Sequence, residues 1–389
     1  MTDEELSAQR VPLTTIAREW TRIGCIGFGG PPAHIILLRR LCVEKRRWIE
    51  EREFDEGIAA TNLLPGPAST QLAIYCAWRL RGVAGAIVGG LCFIVPGLVL
   101  ILALSVVFFD RHAPAWVLGM AAGAGAAVPA VALRAAWTLA PASYRGVDDR
   151  SALARWALYV VVGGVAAALA GSYLIIALVA CGTVEIVVRG RGSERPSPAR
   201  SMFPAVVSHA GALGGLGAVA WVAFKVGALS YGGGFVIVPL MQHDVVSTYH
   251  WMSSTQFLSA VALGQLTPGP VVQTVAAVGY AARGLGGGLL AALIVFSPSF
   301  LFVLVGAPHF DRVRANRSVQ SFLRGAGPAV IGAIAGSAIP LGRGLTHLWQ
   351  IPVLAGALIL LLALRRSVVA CLMLAGAVGL IVALAGVPV

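Results

Sequence analysis

Charge is scarce in this chain. Asp, Glu, Lys and Arg make up 12% of its 389 residues, about half the share a soluble domain carries. Acidic residues are the scarcer: 17 Asp and Glu stand against 29 Lys and Arg, a formal charge of +12. Alternating segments of about ten residues are missing, which argues against an outer-membrane barrel. The six cysteines, Cys25, Cys42, Cys76, Cys92, Cys181 and Cys371, stand apart with no Cys-x-x-Cys spacing. Neither a zinc site nor a redox dithiol is indicated. No strand signal leads into a Gly-Lys-Ser/Thr phosphate loop, so ATP coupling would need a separate subunit. No His-Glu-x-x-His and no acidic cluster falls within an apolar run, which argues against an intramembrane enzyme; no metal and no cofactor is expected. Met1 to Glu5 is acidic and polar, without the basic and apolar regions of a cleaved signal. The internal apolar segments are expected to direct insertion.

What the chain has instead is apolar length. Its residues are 58% hydrophobic, with a mean hydropathy of +0.83. The runs 83–109, 116–140, 285–305 and 351–364 approach or exceed the roughly 20 residues that span a bilayer. These features predict an all-α polytopic membrane protein. The positive charges sit mostly in short loops beside apolar segments, as the positive-inside bias requires. No basic stripe is interleaved with exposed aromatics, so nucleic acid is not an expected partner.

The chain also repeats itself. Phe28-Gly29-Gly30-Pro31 is followed by Trp48, Phe54 and Leu64-Pro65-Gly66-Pro67. Tyr231-Gly232-Gly233-Gly234, Trp251, Phe257 and Thr267-Pro268-Gly269-Pro270 follow 203 residues later. With small slips, Phe109-Asp110-Arg111 then matches Phe310-Asp311-Arg312. A hydrophilic stretch rich in Arg, Pro, Ser and Gly divides the copies and reads as a flexible linker. The expected organisation is a first repeat at 1–188, a cytoplasmic linker at 189–202 and a second repeat at 203–389.

Each half opens with two interrupted segments. In the first half, 13–38 is broken at Gly29-Gly30-Pro31-Pro32 and 54–80 at Pro65-Gly66-Pro67. Proline removes a backbone donor and clashes with the preceding turn, and adjacent glycines add backbone freedom, so a continuous helix through either break is not expected. Non-helical backbone survives at membrane depth only where protein or a wet cavity surrounds it. Both segments read as re-entrant hairpins or broken helices, followed in each half by about four membrane segments.

Loop charges predict orientation. The loop 39–52 holds Arg39, Arg40, Lys45, Arg46, Arg47 and Arg52, whereas its equivalent, 242–255, holds no Lys or Arg. The bias reverses in the next pair: Arg111 alone against Arg312, Arg314 and Arg317. Equivalent loops thus favour opposite faces, and the halves are expected to be inverted repeats. An extra crossing near 203–222 is needed to flip the second half.

The chemistry is expected at the second breaks. Pro67 suits a first helical position, which would leave the amides of Ala68, Ser69 and Thr70 unpaired. A helix start presents free N–H groups and partial positive charge, and so attracts anions. Ser69, Thr70 and Gln71 add polar groups. Thr267, Pro268, Gly269, Pro270, Gln273 and Thr274 repeat the arrangement, with Gln265 on its flank. The alternative for each copy is a proline kink in a packed helix. Phe28, Gly29, Gly30, Tyr231, Gly232 and Gly233 allow close backbone approach, to a ligand or to another helix. Arg22 and Lys225 lie six residues before Phe28 and Tyr231; they either neutralise an anion or snorkel to the interface. His34 and Glu19 are candidates for proton coupling. Glu185, beside the basic linker, reads as a loop-edge charge.

Phe28-Gly29-Gly30-Pro31, Pro65-Gly66-Pro67 and their second copies at 231–234 and 268–270 resemble the chromate ion transporters, the CHR family, in its long-chain two-domain form. The likeness covers nearly the whole chain. It implies inner-membrane efflux of chromate, a tetrahedral dianion similar to sulfate, driven by the membrane potential or a proton gradient. The implied partners are that oxyanion and the lipid bilayer, with a homodimer as one open assembly. The second copy reads Tyr-Gly-Gly-Gly where the first reads Phe-Gly-Gly-Pro, so the two copies need not bind equally.

Overall fold

The computed structural model describes residues 11–110, 112–144, 147, 149–169, 174–190, 214–230, 237–306 and 316–389. Among them all regular structure is helical. The first half contains α1 (Leu13–Ile26), α2 (Pro31–Arg39), α3 (Glu51–Leu63), α4 (Ala68–Phe108), α5 (Ala115–Tyr144), α6 (Arg150–Leu169) and α7 (Leu174–Gly190). The second contains α8 (Leu216–Leu229), α9 (Ile237–Gln242), α10 (Ser254–Leu266), α11 (Thr274–Gly306), α12 (Arg317–Arg343), α13 (Gln350–Leu358) and α14 (Val368–Leu384). Five of these helices, α4, α5, α6, α11 (with the turn before it) and α12, are long and apolar enough to cross a membrane; α8, α14 and the α13 segment are apolar but shorter.

The first interruption falls where glycine and proline require it. α1 ends at Gly27, and α2 restarts with Pro31 and Pro32 in its first turn. Helices α2 and α9 both run into π-helical turns, at Arg40–Lys45 and His243–Thr248. These close in the same way: Arg47 and His250 share φ of 50°, and Trp48 and Trp251 donate their N–H groups to the Cys42 and Val245 carbonyls. The repeat is therefore legible in single hydrogen bonds.

Helices α4 and α11 are each two limbs folded at Arg81-Gly82 and at Arg283-Gly284. In α4 the limbs pack back to back, with Gly85 and Gly89 against Ala77. Trp20 of α1 is fully buried beside them and donates its indole N–H to the Ala73 carbonyl at 2.8 Å. The second limbs of α4 and α11 lie against one another. Gly90 meets Phe300 while Leu102 meets Gly288, so these equivalent limbs run antiparallel.

Beyond them, α5, α6, α7 and α12 to α14 pack through small residues. Gly119 and Gly123 of α5 face Gly379 of α14, and Gly163 of α6 faces Ala329 of α12. Lipid supplies no hydrophobic drive between apolar helices, so close backbone approach through glycine supplies the packing energy instead.

One expectation needs correcting. Residues 216–222 do not belong to a separate crossing: they begin α8, which sits 203 residues after α1 end for end. Residues 203–213 lie outside the described residues, as does most of the linker.

Gly332→Ala should test the packing. A methyl group there comes within 2.9 Å of the Val160 Cα, an overpacking that costs about 1–3 kcal/mol. At Gly356 no atom lies within 4 Å. The first substitution should lower the melting temperature of the detergent-purified protein, and Gly356→Ala should not.

Candidate functional site

The site grows from the two Pro-Gly-Pro breaks. Pro67 has φ of −72° and ψ of 99°, so it caps α4 and Ala68 is the first helical residue. This corrects the expectation that Pro67 itself is first. The Thr70 and Gln71 N–H groups both reach the Pro67 carbonyl, at 2.9 and 3.0 Å. Only the amides of Ala68 and Ser69 remain without a backbone partner. In the second half Pro270 is followed by a 3₁₀ turn, Val271–Gln273, before α11 begins. Gln273 N–H bonds the Pro270 carbonyl at 2.9 Å, leaving Val271 and Val272 as the open donors. The tighter turn absorbs a one-residue slip. Gln71 lies four residues after Pro67 and Gln273 three after Pro270, yet both side chains fold back over their own breaks.

The two halves lock at these breaks. Gly66 N–H donates to the Ser230 carbonyl at 2.6 Å, and Gly269 N–H donates to the Gly27 carbonyl at 3.0 Å. Ser230 is the counterpart of Gly27 and Gly269 that of Gly66. Each half thus places its second break on the end of the other half's first helix. Gly66 and Gly269 have φ of +119° and +94°, a region that side chains with a Cβ rarely enter. The antiparallel limbs close the site from the side. Gly97 lies against Pro268 and Gln273, and Ser299, 202 residues after Gly97, faces Gly66 and Gln71. Gln71 Nε2 donates to Pro65 O at 2.6 Å, and Gln273 Nε2 crosses to Ile94 O at 2.8 Å.

Buried polar atoms without a partner concentrate here. They are Thr70 Oγ1, Gln71 Oε1, Ser230 Oγ, Gln265 Nε2, Gln273 Oε1 and Ser299 Oγ. Thr70, Gln71, Gln273, Ser230 and Ser299 have no solvent exposure at all. Each such atom costs about 1–3 kcal/mol, and native proteins tolerate few without a ligand, ion or water to satisfy them. Three hydroxyls, one amide and the four open N–H groups form a donor set suited to an anion. The two Gln carbonyl oxygens instead call for a donor, such as a proton on the anion or an accompanying water.

The remaining expected residues divide. Gly29 and Gly30 make the first turn with φ of +98° and +75°, and Gly30 borders Val271. Phe28 is 44% exposed, unlike the buried cluster. Tyr231, Gly232 and Gly233 lie outside the described residues. Thr274 spends its hydroxyl on the Val271 carbonyl at 2.8 Å, and Thr267 directs its own toward Gly264.

His34 is fully buried and belongs to the site. Nδ1 lies 3.1 Å from Ser69 Oγ, and Nε2 lies 2.9 Å from the Gly27 carbonyl. That carbonyl also accepts the cross-half bond from Gly269. A carbonyl only accepts, so Nε2 carries the proton, and in the neutral ring Nδ1 accepts from Ser69. His34 therefore sets the hydroxyl of Ser69 beside an open helix start.

The charged candidates are already matched. Glu19 is buried between Arg46 at 3.1 Å, Arg18 at 3.6 Å and Arg22 at 3.9 Å. Arg22 itself is 63% exposed. Lys225 forms an ion pair with Asp244, which the sequence reading passed over. Neither cation is left to meet an anion at the breaks. Glu185 is no loop-edge charge: it is buried, bonded to Arg155, Arg189 and Tyr159. Ser230 and Ser299 were also missed, although Ser230 immediately precedes the second glycine motif.

Two halves that cradle each other's helix breaks within an apolar helical bundle define a polytopic membrane transporter. The chromate transporter family profile matches residues 14–186 and 217–380, and the chain belongs to that family. It is 32% identical to the chromate transport protein of Cupriavidus metallidurans, over 87% of this chain and 84% of that one. It is 31% identical to the probable chromate transport protein of Synechococcus elongatus, over 86% of each. An uncharacterized transporter of Methanocaldococcus jannaschii is 26% identical over 79% of each chain. No solved structure matches.

Ser230→Ala and Ser299→Ala separate a binding role from a structural one. Neither hydroxyl has a partner among the described residues, so the melting temperature should hold or rise in the absence of anion. Protection by added oxyanion should shrink in the same samples.

Proposed function

We propose that this chain is a secondary transporter that exports chromate across the inner membrane, driven by the membrane potential or a proton gradient. The observation that carries the proposal is the pair of helix starts at Ala68-Ser69 and Val271-Val272, interlocked across the halves and ringed by unpaired hydroxyls. Relatives named for chromate transport support the substrate. Donors of this kind contact the outer oxygens of a tetrahedral anion and not the atom at its centre. A carrier of sulfate or another oxyanion is therefore the second reading.

Direction follows from charge. With the cell interior negative, a dianion moving outward gains roughly 4–5 kcal/mol per 100 mV. No opposing cation in the site needs to be unloaded, because Arg22 and Lys225 are held by Glu19 and Asp244. His34, which joins Ser69 to the cross-half hydrogen bond, is placed to couple a proton to the state of the site. Alternating access would rock one half against the other about the paired breaks, with the halves inverted in the membrane.

Inverted vesicles carrying the protein should take up chromate above empty vesicles, and sulfate should compete. Flux of another anion with none of chromate would remove the chromate assignment and leave the site intact. Flux that is ohmic and never saturates would indicate a channel instead. Separately, single cysteines at Arg47 and Thr248 should label from opposite faces; labelling from the same face would refute the inversion.

A further inference from the structure

A second polar cluster lies far from the helix breaks in sequence and takes no part in them. It forms where the end of α5, the start of α6, the end of α7 and the start of α12 meet. Glu185 is its centre, with a side chain 4% exposed. Arg155 Nε reaches Oε2 at 3.1 Å and Arg189 Nε reaches Oε1 at 2.7 Å, while Tyr159 OH donates to Oε2 at 3.1 Å. A cavity of about 40 Å³ opens among Arg155, Glu185, Arg189, Arg324, Tyr159 and Ser143. A buried water needs about 10–15 Å³ on this scale, so the space holds roughly three.

The charge balance does not close. Three guanidinium groups and one carboxylate line the cavity, with Asp149 just outside it hydrogen-bonded to Ser151, so the lining itself is net positive. Arg155 and Arg189 use their Nε groups on Glu185, and one Arg155 Nη goes to Ser151 Oγ at 3.1 Å. Arg324 is exposed and has no ion pair among the described residues. Unused guanidinium edges thus face a small open space. Aromatics border it: Trp156 donates to Ser143 Oγ at 3.0 Å and meets Tyr144 edge-to-face. Arg155, Glu185 and Arg324 lie five to seven residues from the ends of their helices, about 8–10 Å along the axis.

The equivalent corner of the molecule shows that packing does not demand this cluster. There α13, α14 and α5 take the places of α6, α7 and α12. α13 and α14 contain no charged residue, and the contact is made by neutral Gln350, whose Nε2 donates to the Ala122 carbonyl at 3.3 Å. Only one of two equivalent corners carries arginines around a cavity.

We infer that this corner is a binding site for a phosphate group, held by Arg324 and the outer edges of Arg155 and Arg189, with Glu185 fixing the latter two. Arginine suits phosphate because its planar fork offers two parallel donors. The group is supplied either by the headgroup of an anionic phospholipid or by free phosphate.

The test uses the full chain, delipidated and returned to nanodiscs, with thermal stability and retained lipid as readouts. Phosphatidylglycerol should raise the melting temperature and remain bound, whereas phosphatidylcholine should not. Arg324→Gln should weaken retention roughly five-fold, the factor one surface cation contributes, and Arg324→Lys should lose less. Arg365→Gln, in an exposed loop, controls for general attraction and should change nothing. Arg324 has no ion pair or hydrogen bond among the described residues to lose, so its variants should fold. Stabilisation by inorganic phosphate in phosphatidylcholine discs, lost in Arg324→Gln, would support the site and identify free phosphate as the source. Equal responses of wild type and Arg324→Gln to both ligands, or no response to either, would overturn the inference.

Discussion

Two hydrogen bonds hold the architecture at its centre: Gly66 N–H to Ser230 O and Gly269 N–H to Gly27 O. They are the same bond made twice, once from each half. A broken helix at membrane depth leaves backbone groups that neither lipid nor its own chain can satisfy. Each half solves that problem by offering its break to the other. The cross-half pairing seats each half's second break on the end of the other half's first helix. It also fixes Gly66 and Gly269 in conformations that exclude side chains. From this constraint follow the close approach of Gly97 to Pro268 and the placing of Ser299 beside Gly66.

The pairing is symmetric; the chemistry around it is not. His34 joins Ser69 to the Gly27 carbonyl in one half, while position 237 in the other is isoleucine. Both glutamines fold over their own breaks, but Gln71 Nε2 donates to Pro65 within its break while Gln273 Nε2 donates to Ile94 of the other half. Near the cores of the two opening hairpins, Glu19 on α1 pairs with Arg46, but Lys225 on α8 pairs with Asp244. The sense of the ion pair is reversed between the halves. The site is thus built of two similar backbone frames, one with a 3₁₀ turn the other lacks, carrying different side chains.

Much of the frame could be read from the sequence because glycine and proline act locally. The Gly29-Gly30 pair ahead of Pro31-Pro32, and Pro65-Gly66-Pro67, interrupt helices through local backbone preference, and the structure breaks there. Partnerships were harder to read, because they depend on which helices meet. Glu19 stands three residues before Arg22, a helical spacing visible in the sequence, but nothing local to Lys225 says that Asp244 will claim it. Ser230 and Ser299 carry no motif; only the cross-half contact makes them part of the site. Glu185 resembled a surface charge because its neighbours in sequence are basic and near a linker. Its burial comes from α6 and α12, which lie remote in the chain. Pro67 is the small exception, a cap where a first helical residue was expected, because the Thr70 and Gln71 amides both close on its carbonyl.

The central claim is that an oxyanion sits between the two helix starts. Anomalous scattering from chromium in crystals of the wild-type protein soaked with chromate measures that directly. A chromium peak is expected within hydrogen-bonding reach of the Ala68, Ser69, Val271 and Val272 amides and the Thr70, Ser230 and Ser299 hydroxyls. A chromium peak elsewhere in the molecule, with the paired breaks empty in protein that transports chromate, would contradict it.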